Sequence, residues 1–123
     1  MSQTKLKPAS NPLPQTFSVR VAGVPYKVSY AQWKDVDHDG KAERLFGQIQ
    51  YVDHSIRIAN DTPIEKQQLT LLHEVLHAII NEYNIRELQT QEGEHSEHAI
   101  DLLSIGIFDF LKSIDVTLPY YRG

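Results

Sequence analysis

An α+β domain, a small antiparallel sheet followed by two helices, is what this sequence predicts. Three observations carry that prediction. Apolar and polar residues alternate through the first half of the chain, and apolar residues recur at helical spacing through the second. A helix-start signal, Thr62-Pro63-Ile64-Glu65, marks the join.

Taken in order, residues 1–16 hold three of the six prolines (Pro8, Pro12, Pro14) among polar neighbours. Such a segment buries too little apolar area to offset its ordering entropy, so it reads as a flexible tail ahead of a single domain over residues 17–123. Phe17, Val19 and Val21 share one face of a strand, and Tyr26, Val28 and Tyr30 share one face of the next, with Ala22-Gly23 as the turn between them. Leu45 to Val52 and Ile56 to Ala59 form a further pair around Asp53-His54-Ser55, so the sheet reads as a largely antiparallel meander. In the join, Thr62 is expected as N-cap, Pro63 as the first helical residue and Glu65 as the capping-box partner. Leu69, Leu72, Leu76, Ile79, Ile80 and Tyr83 then follow helical spacing, with few breakers before Gly93. A second helix is expected from about Glu94 to Ile114, its apolar stripe made of Ile100, Leu103, Ile107, Phe110, Leu111 and Ile114.

Composition narrows the function. The 123 residues amount to one domain. Twelve Lys and Arg against sixteen Asp and Glu give a net charge of −4. Without a cationic field the chain is not expected to bind nucleic acid nonspecifically. There are no cysteines, which excludes a disulfide scaffold, a thiolate metal site and a cysteine nucleophile; a transition metal would have to be held by His, Asp or Glu. No stretch approaches the roughly 18 apolar residues of a membrane span, so no membrane partner is expected. The N-terminal residues lack the apolar core of a signal peptide, which points to the cytoplasm.

The chemistry concentrates in His73-Glu74-Val75-Leu76-His77, an HExxH pattern inside the first helix. Histidines at i and i+4 project from one helical face, so both imidazoles reach one metal ion. Glu74 follows the first of them and sits where a general base is needed beside the metal. The flanking Leu71, Leu72, Val75, Leu76, Ile79 and Ile80 imply a largely buried helix. In that setting two unpartnered imidazoles and a carboxylate would cost several kcal/mol, which favours a metal over solvated decoration. A third ligand is sought in the second helix, among Glu94, His95, Glu97, His98 and Asp101. On a helical wheel centred near Ile107, Glu97 lies about 80° from the apolar centre, Glu94 about 140°, and His95 nearly opposite. Glu97 is therefore best placed, with Glu94 and His98 as alternatives. Asp101, one turn further on, is positioned to accept a hydrogen bond from a ligand histidine.

The two-part pattern, His73-Glu74-x-x-His77, then nineteen residues, then Glu97-x-x-x-Asp101, resembles the gluzincin zinc metallopeptidases. The size and the order of sheet and helices are similar to the minimal members, the minigluzincins. They are similar too to the ImmA/IrrE-type metallopeptidases of phages and mobile elements, whose style the phrase Leu71 to Ile79 shares. The resemblance spans roughly residues 45–112. It implies a zinc cofactor on His73, His77 and Glu97, Glu74 as general base and proton shuttle, and Asp101 as partner of a ligand histidine. It also implies a peptide or protein substrate aligned along an edge strand, for which Leu45 to Tyr51 is the candidate. The oxyanion-stabilising His or Tyr of larger members has no recognisable motif here; Tyr83, His95, His98, Tyr120 and Tyr121 are the residues of the right type.

Other signals weigh less. Asp35-Val36-Asp37-His38-Asp39-Gly40 imitates the start of a calcium loop, but Phe46 stands where the bidentate Glu belongs, so a polar turn is the plainer reading. His54 reads as a solvated turn residue, and Trp33 and the tyrosines as packing residues. Serine chemistry has no motif. The expected function is therefore a zinc metallopeptidase hydrolysing a peptide bond, and the alternative is a zinc-containing interaction module with little or no hydrolysis.

Overall fold

The computed structural model describes residues 16–32 and 46–121. The fold is α+β, as expected: a four-stranded sheet followed by two helices. Strand β1 (Thr16–Val21) and strand β2 (Val24–Ala31) form a hairpin whose register closes at Val21 opposite Val24. Its two-residue turn, Ala22-Gly23, has both φ values positive, at 53° and 80°. That geometry matches the twist of the flanking strands and is why a glycine stands at the second position. Strand β3 (Gly47–Gln50) and strand β4 (Ser55–Ala59) form a second antiparallel hairpin. The tail assigned to residues 1–16 lies outside the described residues except for Thr16, which opens β1; the 35–40 loop and Trp33 also lie outside them.

The strand order is β1-β2-β4-β3, and β2 runs parallel to β4, from Lys27 opposite Ser55 to Ala31 opposite Ala59. The sheet is therefore mixed: two of its three pairings are antiparallel, as expected of a largely antiparallel sheet, and the parallel β2–β4 pairing corrects the expected meander order. The reason lies in the two strands' composition. Ile56, Ile58 and Ala59 of β4 are wholly buried and belong in the sheet interior. Gly47, Gln48 and Gln50 make β3 suited to an edge. The chain between Ala31 and Ser55 is long enough to cross over and return through β3.

Register explains the core. Phe17, Val28, Ile56 and Ile49 lie opposite one another across the sheet, as do Tyr30, Ile58 and Gly47. Against this one face packs helix α1 (Ile64–Tyr83) through Leu71, Val75, Ala78 and Ile79. At the sheet edge the approach is close. A Cβ on Gly47 would stand 2.5 Å from the Thr70 methyl and 3.1 Å from Glu74 Oε2, so only glycine lets β3 lie against α1 at the level of Glu74.

Helix α1 begins one residue later than expected. Pro63, in extended geometry, is its N-cap, and Thr62 Oγ1 donates to Ala59 O rather than capping the helix. Gln67 Nε2 reaches back to the carbonyls of Asn60 and Thr62, which holds the approaching chain extended. The same amide accepts from Tyr121 N at 2.7 Å and donates to Tyr121 O at 3.0 Å, while Gln68 Nε2 donates to Leu118 O. The C-terminal segment is thus strapped along α1, with Tyr121 stacked on Tyr30 in the core. Asn84, in left-handed conformation with φ 50°, ends the helix well before Gly93.

Helix α2 spans Glu97–Ser113, and Ser96 caps it by accepting from Ala99 N at 3.3 Å. It packs on α1 rather than on the sheet, with Ile100, Leu76 and Ile80 as the buried junction and Ile107 beside them. The expected apolar stripe is corrected accordingly. Ile100 is buried, but Leu103, Phe110 and Ile114 are exposed, because one neighbouring helix covers only a narrow strip of α2. No helix among the described residues is long and apolar enough to cross a membrane.

Because Gln67 satisfies four backbone groups, its replacement by leucine, similar in volume but without polar atoms, leaves buried carbonyls and the Tyr121 N–H unpartnered. Gln67→Leu is expected to cost about 2–4 kcal/mol, measured as a fall in the urea midpoint with an unchanged slope.

Candidate metal centre

Three side chains converge where α1 meets the start of α2. His73 and His77, one turn apart on α1, are buried, and Glu97 is the first residue of α2. His73 Nε2 lies 3.1 Å from Glu97 Oε1, and His77 Nε2 lies 3.2 Å from Glu97 Oε2. The carboxylate thus spans the two imidazoles. Donor atoms from all three residues lie within 4.8 Å of one another, the separation that one metal ion can bridge, and this is the group of that kind among the described residues. Two imidazoles and a carboxylate are a donor set for a divalent transition ion.

The local sequence builds this in two ways. On α1 the i, i+4 spacing brings the rings together edge-on, with centroids 5.0 Å apart and 65° between their planes. On α2 the Ser96 cap starts the helix at Glu97, so this carboxylate sits in the first turn, where the helix dipole favours negative charge. Glu94 and His98 are exposed and do not join the cluster. Asp101, one turn beyond Glu97, brings Oδ1 to 3.2 Å from His73 Nδ1. That is a charge contact whose alignment falls short of a hydrogen bond, since His73 Nδ1 has no hydrogen-bond partner by geometry. Glu74 is buried beside the pair, against the Gly47 end of β3.

The expected position of His95, nearly opposite the apolar side of the second helix, is overturned. His95 Nδ1 lies 2.8 Å from His77 Nδ1, and the two rings meet edge to edge, close to coplanar, with centroids 5.0 Å apart. The wheel failed because His95 is not on the helix. It pairs with Gln89 in an antiparallel bridge. The intervening loop is closed by Thr90 N to Glu94 O and Gly93 N to Thr90 O, with Gly93 at φ 85°. Tyr51, in the turn after β3, packs edge-on against His95 with centroids 6.0 Å apart. Sequence reasoning did not single out Tyr51. The signal for His95 was Ser96 as a capping residue, which takes its predecessor off the helix. Of the other oxyanion candidates, Tyr121 is a core residue, and Tyr83 and His98 are exposed.

The electrostatics follow from these contacts. Hydrogen bonds from His73 and then His77 hold the Glu97 carboxyl well below the usual carboxylate range, against the opposing effect of burial. Burial pushes His73 down, but Glu97, Glu74 and Asp101 together outweigh it and raise its pKa. Burial, and then the neighbouring His77, lower His95. Burial, reinforced by Glu74, Tyr26 and Glu97, raises Tyr51, so its phenol keeps its proton as a donor.

No family model, curated protein or solved structure matches this chain.

The pairing of His73 with Glu97 sets a stability profile for the metal-free chain. Glu97 is depressed, so its contribution is fully present above the unfolded value of 4.5 and is lost as pH falls through its lower folded value. His73 is raised, so its contribution is fully present below the unfolded value of 6.5 and is lost as pH rises through its higher folded value. The pair therefore contributes most between about 4.5 and 6.5. Melting temperatures of the chelator-treated protein are expected to peak in that window, and Glu97→Gln is expected to flatten the peak.

Proposed function

We propose that this chain is a zinc-dependent metallopeptidase of gluzincin type, with His73, His77 and Glu97 as ligands. The observation that carries the reading is the convergence of both Nε2 atoms on the Glu97 carboxylate. The residues fit the ion: two nitrogens and one carboxylate oxygen are a catalytic zinc set that leaves a position open. When bound, zinc polarises a carbonyl and acidifies water.

The remaining steps belong to this chain's own side chains. Glu74, neighbour to a ligand on α1, takes a proton from the attacking water and hands it to the leaving amine. Asp101 favours a proton on His73 Nδ1, leaving Nε2 as the donor toward the ion. Strand β3 pairs only with β4 among the described residues, and its free edge suits an extended peptide held by backbone hydrogen bonds. Gly47 brings that edge against Glu74, which puts general base and substrate strand side by side.

A second reading, a zinc-containing interaction module, draws on the exposed Leu102, Ile105 and Phe110 of α2, which suit a protein partner better than solvent. Glu74 separates the two readings, because a module has no use for a carboxylate that is not a ligand.

Elemental analysis of the purified chain is expected to find about one zinc per protein, and Glu97→Ala purified alongside is expected to retain a small fraction of it. Undiminished zinc in Glu97→Ala would remove this residue from the ligand set. Against a library of unstructured peptides read by mass spectrometry, Glu74→Gln is expected to cut the cleavage rate by about 10²–10⁴-fold while zinc content stays level. Cleavage that survives the change would exclude Glu74 as the base.

A further inference from the structure

A ligand histidine has two ring nitrogens, and the one that faces away from the metal decides how the ring is held. For His73 the outer nitrogen faces a carboxylate, Asp101. For His77 it faces another imidazole, that of His95, at 2.8 Å between the two Nδ1 atoms. Two ring nitrogens this close are joined by one proton between them, so one donates and the other accepts.

We propose that His95 is the positioning residue for His77: its Nδ1 accepts the hydrogen of His77 Nδ1 and thereby presents His77 Nε2, bare, to the ion. This rests on the metal reading above. When Nε2 gives its lone pair to a metal, the ring proton must reside on Nδ1, and only an acceptor can then partner that side. A neutral imidazole offers such an acceptor; an ammonium or guanidinium does not.

Several features hold His95 in this role. The bridge to Gln89 fixes its backbone, Ser96 N donates to Leu88 O at 2.8 Å on the residue that follows, and Tyr51 packs against the ring. The two rings lie close to one plane, with an angle of 21° between them, so the hydrogen bond runs in the plane of both. His95 does not reach the metal-facing side, where both Nε2 atoms meet Glu97. It acts through His77.

Two substitutions divide the hydrogen bond from the packing of the ring. His95→Phe keeps an aromatic ring against His77 and puts a carbon where the acceptor stands. His95→Asn gives up the ring and keeps an oxygen close to the position of Nδ1. Zinc affinity is measured for the full chain by competition with a chromogenic chelator, alongside thermal melting of each variant. His95→Asn is expected to bind zinc within about threefold of the unaltered chain and His95→Phe about 10–100-fold more weakly. A through-hydrogen-bond coupling between the two Nδ1 atoms is expected in an isotope-labelled sample. His95→Phe binding as tightly as the unaltered chain overturns the proposal, as does equal weakening in both variants, which would assign the effect to packing of the residue and not to its acceptor. A missing coupling also overturns it. If the unaltered chain takes up no zinc, the metal reading itself fails; if it takes up zinc and His95→Phe matches it, only the role of His95 fails.

Discussion

The carboxylate of Glu97 bridges two buried imidazoles, and the helical half of the molecule is arranged around that contact. Helix α1 has to serve two masters. One side carries Leu71, Val75 and Ala78 into the sheet core, while His73, Glu74 and His77 bring ionisable groups into the same buried environment. Ionisable groups are costly there unless they are paired. Glu97 supplies the pairing from outside α1, which obliges α2 to start where it does and to dock where it does.

The sheet answers to the same requirement. Its single covered face fixes α1 by rows of residues in register, and β3 at the edge comes close to α1 because Gly47 has no side chain to hold it off. The strap through Gln67 and Gln68 fixes the N-terminal turns of α1 from the other direction. A helix pinned at the sheet and at the strap keeps the spacing of its two histidines, so the geometry at Glu97 is not left to a mobile element.

Much of this was legible in the sequence because it is local. The i, i+4 histidines, the join near residue 63 and the position of Glu97 over Asp101 depend on spacing along one helix, and spacing is what a sequence records. What was not legible depends on partners remote in the chain. Whether β4 lies beside β2 or at the edge is decided by burial of Ile56 and Ile58, which no alternation pattern distinguishes from Ile49. The stripe of α2 was overestimated because periodicity cannot say how wide a neighbour will be. His95 was misplaced for a sharper reason: a wheel presumes a helix, and Ser96 had already ended that presumption one residue later.

The narrow seat of α2 carries a consequence for how the molecule holds itself together. With Ile100 and Ser104 as its fully buried side chains, this helix is attached to the rest by a small apolar seam, the exposed ion pair of Lys112 with Glu65, and the contacts of Glu97 and Asp101 with the histidines of α1. An ion shared among Glu97, His73 and His77 would act as a rivet between the helices, since it binds the docked arrangement and not the separated one. Occupancy and docking would then rise and fall together, and the concentration of a dissolved cation would set how tightly one end of this fold is closed.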